Sequence, residues 1–109
     1  MFNQLLTLGT DFLQGKPLVL RSGKWETVRK HFLEQYPRCA ACNRSDHLQI
    51  HHCVPFHLDS ALELEPSNLI TLCEGEGTNN DHFVIGHFKN WKTFNPNVRE
   101  DAKNYPKKY

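Results

Sequence analysis

No stretch of the 109-residue chain approaches the ~20 consecutive apolar residues that a membrane-spanning helix needs, which excludes that class. Charge imbalance is almost absent: 13 Lys and Arg against 12 Asp and Glu leave +1. Net charge therefore cannot hold the chain to nucleic acid, and any such contact has to come from local patches. Met1 to Gly15 has neither the cationic start nor the continuous apolar stretch of a secretory signal, which predicts a cytoplasmic protein with reduced thiols. Internal repeats, low-complexity tracts and a visible domain boundary are missing too, so one domain over 1–109 is expected.

Apolar residues make up 39% of the chain, enough for a small folded core that a structural metal would help to stabilise. Four cysteines in a reducing compartment read as metal ligands or core residues rather than as two disulfides. Seven histidines exceed what packing requires and point to a site.

Along the chain, Phe2, Leu5, Leu6 and Leu8 have helical apolar spacing that Gly9 ends. Asp11 to Lys16 reads as a turn or short helix closed by Gly15 and Pro17, and Leu18-Val-Leu20 as a short extended run. Ser22 is the predicted N-cap of an amphipathic helix to about Tyr36, with Trp25, Val28, Phe32 and Tyr36 on one stripe. Pro37 forces the exit. Arg21, Lys24, Arg29 and Lys30 flank the stripe, as a solvated face or as a phosphate-contacting one.

Cys39-Ala-Ala-Cys42 has the spacing of two thiolates on one tetrahedral zinc, and Cys73 supplies a third thiol. Cys53, Asp81 and His82 compete for the fourth place. A redox role for Cys39 and Cys42 lacks the βαβ context it needs. Leu48 to Val54 reads as a strand. Adjacent strand residues face opposite ways, so His51 and His52 share a site only if the strand ends there, as Pro55 predicts. Residues 56–68 form a loop with His57, Asp59, Glu63 and Glu65, and with Leu62 and Leu64 turned inward. Leu69 to Leu72 gives a second strand ending at Cys73. After the turn-rich Glu74 to Asn80, Asn79 or Asn80 caps a predicted helix through about Trp91, with Phe83, Phe88 and Trp91 packed inward. Asn95-Pro-Asn ends that unit. Val98 to Tyr109 adds a last short helix and a Lys-rich tail.

Cys39-x-x-Cys42, Leu48-Gln-Ile-His-His-x-x-Pro55, Asn68-Leu-Ile-Thr-Leu-Cys73 and His82 together resemble the HNH endonuclease family, over about Arg38 to Trp91. The stretch Asp81 to Trp91 also looks like the helix of phage and bacterial members. The resemblance implies an α+β fold: a small ββα-metal, treble-clef-like core (38–91) with flanking helices, an N-terminal leader and helix (1–37) and a C-terminal extension (92–109). It implies a metal-dependent DNA endonuclease working in the cytoplasm of a bacterial or phage-infected cell. His52 matches the general base and His51 the adjacent metal ligand. Asn68 matches the middle asparagine, which braces the loop or helps at the metal, and His82 matches the final metal ligand. Cys39, Cys42 and Cys73 match structural zinc ligands. Asp81 stands where many members have a fourth cysteine, which would make a Cys₃Asp site.

His87 is a further candidate ligand. Five residues of α-helix advance ~500°, so His82 and His87 share a metal only if the helix is distorted, for instance at Gly86. His31 and His47 read as surface or packing residues, and His57 as the histidine to line the cleft. An imidazole-rich site suits Zn, Ni, Co or Mn better than Mg, which still ranks among the candidates. DNA is the expected partner, with a partner protein supplying sequence specificity; no membrane contact and no particular oligomeric state are implied. The competing class is a non-catalytic, zinc-supported module that binds nucleic acid or protein.

Overall fold

Among the described residues the first regular element, α1 (Trp25–Gln35), lays one face on a two-stranded sheet. In the computed structural model, residues 20–76 and 79–109 are described. The segments expected over residues 2–8 and 11–16, and all of Leu18–Leu20 but Leu20 itself, lie outside the described residues. Phe32 is the buried residue of α1, and Trp25, Val28 and Leu33 pack around it. Two expectations for this helix change. Ser22 does not cap it: its Oγ accepts from Lys24 N (3.1 Å) and its carbonyl from Trp25 N (3.2 Å), so it forms the turn before the helix. Tyr36 leaves the stripe, 56% exposed, because the backbone has turned out of helical geometry ahead of Pro37.

Strands β1 (Leu48–His52) and β2 (Leu69–Cys73) pair antiparallel, with His51 opposite Ile70 and His52 opposite Leu69. Both strands fall where the apolar runs place them, although β1 stops at His52 rather than Val54. Every residue of β2 is buried, because the strand has protein on both faces. Leu69 packs with Phe32 and Ile50 on the α1 side. Ile70 and Leu72 join Cys39, Cys42, Ile85, Val98 and Ala102 in the larger cluster.

The connection between the strands holds two short 3-10 turns, Ser60–Leu62 and Pro66–Asn68. Here the side chain turned fully inward is acidic: Glu63 is 4% exposed, while Leu62 and Leu64 are half-buried. The carboxylate is satisfied there by Arg21 Nε (2.8 Å) and Ser22 N (2.9 Å).

After β2 comes the largest departure. The helix expected through Trp91 is a π-helical segment, His82–Gly86, followed by turns. Phe88 (φ 51°) and Lys89 (φ 62°) take left-handed backbone geometry that no helix can continue. The carbonyls freed by the break go to a buried residue, Asn95, whose Nδ2 donates to Ile85 O (3.0 Å) and whose N donates to Gly86 O (2.9 Å). As a result Phe88 and Trp91 are exposed rather than packed inward, and Ile85 takes the core position.

The last helix, α2 (Val98–Lys103), is shorter than the stretch to Tyr109. Its Val98 and Ala102 are 1% exposed within the large cluster, so the C-terminal segment is part of the core. Lys107 Nζ donates to the carbonyls of Ala40, Ala41 and Ala102, tying the tail to the Cys39–Cys42 turn. The architecture is a small mixed α/β unit built on one antiparallel hairpin.

Two candidate metal centres and a cleft

The chain places two groups of metal-ligating side chains back to back. Cys39, Cys42, Cys73 and Asp81 form one, and His51, His82 and His87 the other, each with donor atoms within 4.8 Å of one another. Consecutive residues serve both groups: Cys73 and Asp81 face the first, while Glu74 and His82 belong to the second.

The thiol group is built by a tight turn and the end of β2. Asn43, at φ 69°, reverses the chain so that Cys39 N donates to Arg44 O (2.8 Å) and Asn43 N to Cys39 O (2.9 Å). Cys42 Sγ and Cys73 Sγ lie 3.8 Å apart. A tetrahedron with zinc–sulfur bonds of about 2.3 Å has edges of about 3.8 Å, so the spacing suits zinc. Cys39 Sγ sits 3.2 Å from Asp81 Oδ2. Backbone amides of Cys42 and Asp81 point at Cys39 and Cys73 sulfurs (3.5 and 3.4 Å). Asp81 is 2% exposed, yet among the described residues no Lys or Arg pairs with it. A buried carboxylate beside three thiols fits a divalent cation as its counter-charge. Burial pushes the Cys42 thiol up, helped by its bond to Asp81, and holds Cys73 at about 11. A bound cation would reverse that and deprotonate them. Of the three residues competing for the fourth place, Asp81 takes it. Cys53 is outside the group, and His82 turns to the other centre.

The three-histidine group depends on the π winding. Wound with the i→i+5 period, His82 and His87 come to the same side, as a regular α-helix would forbid. Gly86 lies between them for a reason of space. A Cβ there would sit 3.1 Å from His51 Cε1, 3.2 Å from His51 Nδ1 and 3.3 Å from His82 Cδ2. Gly86→Ala should therefore weaken metal binding at this centre by about tenfold or more, by displacing the rings, with little change in thermal stability. Calorimetric metal titration beside a thermal melt checks this; unchanged affinity would contradict it.

Partner chemistry fixes the tautomers. His82 Nδ1–H donates to Glu74 Oε1 (2.7 Å), and His87 Nδ1–H donates to Thr93 O (2.6 Å), because a carboxylate or carbonyl oxygen only accepts. Their Nε2 lone pairs then face each other at 3.2 Å. His51 Nδ1 lies 3.0 Å from His82 Nε2, and the buried His51 Nε2 has no hydrogen-bond partner among the described residues. Two lone pairs aimed at one point, with a third imidazole nitrogen beside them, fit a cation. Burial, and after it His82, His87 and His52, hold the His51 pKa down at about 3, so the ring stays a neutral ligand. Burial likewise lowers that of His82, against the opposing bond from Glu74.

His52 points to the other face of the sheet, as the strand alternation requires. Its ring lies 4.5 Å from that of Trp25, and Nε2–H donates to Glu63 O (2.9 Å). That leaves Nδ1 as the basic nitrogen. Burial lowers its pKa, so the neutral form prevails near neutral pH. Because β1 ends here, both histidines still border one cleft of about 310 Å³, together with His82, His87, His57 and Arg21.

Asn68 is a brace. Its Oδ1 accepts from Val54 N (2.8 Å), and its Nδ2 donates to Val54 O (3.1 Å) and Leu62 O (3.2 Å). Of the two roles the resemblance allows, only the structural one is compatible with these bonds. Asn68→Ala leaves buried backbone groups unpaired, and a loss of about 1–3 kcal/mol is expected in chemical denaturation. A loss below about 0.5 kcal/mol would contradict the brace.

Sequence reasoning missed Arg21 as a cleft residue, Glu63 beneath His52, and Glu74 and Thr93 behind the ligand rings. Two had a signal: Glu74, by its place immediately after Cys73, and Arg21, by its place on the basic flank of the helix stripe. Comparison of the chain with protein-family models, curated proteins and solved structures finds no match.

Proposed function

We propose that the chain is a metal-dependent endonuclease of the HNH type, hydrolysing phosphodiester bonds of DNA. The observation that carries this reading is the three-histidine centre sharing a cleft with a histidine whose tautomer is fixed with Nδ1 basic. The antiparallel hairpin followed by a helical turn bearing His82 also agrees with a ββα-metal core.

A divalent cation on His51, His82 and His87 would supply Lewis acidity at the scissile phosphate and the leaving 3′-oxygen. His52 Nδ1 accepts a proton from the attacking water, while the Glu63 carbonyl holds its other nitrogen. Glu74 and Thr93 O keep the donor nitrogens of His82 and His87 aimed inward. Arg21, held by Glu63, lines the same cleft and offers a guanidinium to the phosphate. Asn68 acts at a distance, fixing the loop that follows His52. Three imidazole ligands favour Zn, Ni, Co or Mn over Mg. The thiol centre, with zinc, serves the fold.

The test is incubation of metal-stripped protein with supercoiled plasmid and each of Mg, Mn, Ni, Co and Zn. Conversion to open-circular or linear DNA is expected with at least one transition metal. Intact plasmid under all five conditions sinks the nuclease reading and favours the binding module.

A further inference from the structure

The loop after the π-helical segment does more than carry His87. Residues 87–93 form a closed set of hydrogen bonds: His87 Nδ1–H to Thr93 O (2.6 Å), Asn90 N to His87 O (3.0 Å), Thr93 N to Asn90 O (2.9 Å) and Lys92 N to Asn90 Oδ1 (3.0 Å). The bonds that aim His87 Nε2 at its group therefore also hold the backbone on either side of Trp91. Its ring rests against Phe83 (centroids 4.8 Å), His87 (4.9 Å) and His82 (5.2 Å), yet it is 52% exposed. Trp91 and Lys92 both line the cleft that His51 and His52 border. A single exposed aromatic needs no explanation. This one packs on two rings of the three-histidine group and on Phe83, and lines the cleft of the proposed reaction.

We propose that Trp91 is a stacking platform for a nucleobase, and that the preferred substrate is DNA with unpaired bases, either single-stranded or locally opened. The inference rests on the nuclease reading and names its substrate class. The faces of paired bases are covered by their neighbours inside a duplex, so an indole at the cleft wall meets only backbone there. In a single strand the base beside the phosphate at His51 is free to lie on the indole, with Lys92 near the following phosphate. Pre-organisation by the loop's hydrogen bonds lowers the entropy cost of that contact.

The experiment measures fluorescence anisotropy at one salt concentration, with a His52→Ala background to prevent turnover. Three labelled probes of about ten nucleotides are compared: a single strand, the same strand built from abasic sites, and its duplex. The single strand should bind about tenfold or more tighter than the other two, which carry phosphates but offer no free base faces. Trp91→Ala should remove that preference, and Trp91→Phe, which keeps a ring, should retain most of it. Thermal melts of the variants check that they fold, and the duplex affinity of Trp91→Ala serves as the internal control. Equal binding of the base-bearing and abasic strands overturns the inference and leaves the nuclease reading standing. So does an equal loss on all three probes in Trp91→Ala, which would mark Trp91 as a mere support for His82 and His87. Binding of none of the probes overturns the nucleic-acid reading itself.

Discussion

His52→Ala should slow DNA cleavage by about 10²- to 10⁴-fold while metal content and fold remain those of the parent chain. The expectation follows from the division of labour between adjacent residues of β1. His51 turns toward His82 and His87, and His52 turns toward Trp25 and the Glu63 carbonyl. Deleting the His52 ring removes no candidate metal ligand. Among the described residues it does remove the one cleft imidazole with a basic nitrogen outside the three-histidine group and a partner that fixes its tautomer. His57, also at the cleft, is exposed and is the next base to test. Single-turnover cleavage at saturating metal, with metal analysis on the same samples, decides the matter. A rate within threefold of the parent, or loss of metal along with loss of rate, would count against His52 as the base.

The second large effect is expected at the back of the same frame. Cys73→Ser should release the metal of the thiol centre and lower thermal stability by about 10–20 °C, corresponding to roughly 3 kcal/mol. Cys73 is fully buried, ends β2 and faces Cys42 at 3.8 Å. Its neighbour Glu74 orients His82, and His82 follows Asp81. Loosening one centre therefore displaces the second, and the three-histidine centre should lose metal affinity in the same variant. Cys53→Ser is the matched comparison. Cys53 is half-buried and outside both groups, so its variant should keep both metals. Metal analysis and thermal melts of the two variants check this. Equal melting temperatures for Cys73→Ser and the parent would contradict a structural role for the thiol centre.

The hairpin was legible because both of its strands are signalled by local residue pattern. Leu48 to His52 alternates and ends before Pro55, and Leu69 to Cys73 is a short apolar run. The thiol group was legible in part, since Cys-x-x-Cys carries its chemistry in its spacing, whereas His82 was placed by the family resemblance and only one of the paired histidines, His51, joins the three-histidine group. The region after Asn80 was not legible. Its apolar spacing describes a helix to Trp91, whereas the chain winds as a π-helical segment to Gly86, packed closely on His51, and then breaks at the left-handed Phe88 and Lys89. That is a tertiary demand, and no periodicity within the segment reports it. For the same reason Phe88 and Trp91, apolar and at helical spacing, turn out exposed. Glu63 was hidden in another way. An acidic residue between two leucines reads as loop surface unless Arg21, 42 positions earlier, is known to meet it.

In the proposed nuclease the chemistry belongs to the three-histidine centre and not to the thiol centre. The most direct test is to titrate metal-stripped protein with cobalt or zinc, following DNA cleavage and bound metal together. The thiol centre should fill first without activity, and cleavage should then rise in proportion to the second equivalent. In His87→Ala, which loses one of the three ligands, the first equivalent should bind as before and cleavage should not appear. Full activity with only the thiol centre filled, or undiminished cleavage by His87→Ala, would contradict this division of roles.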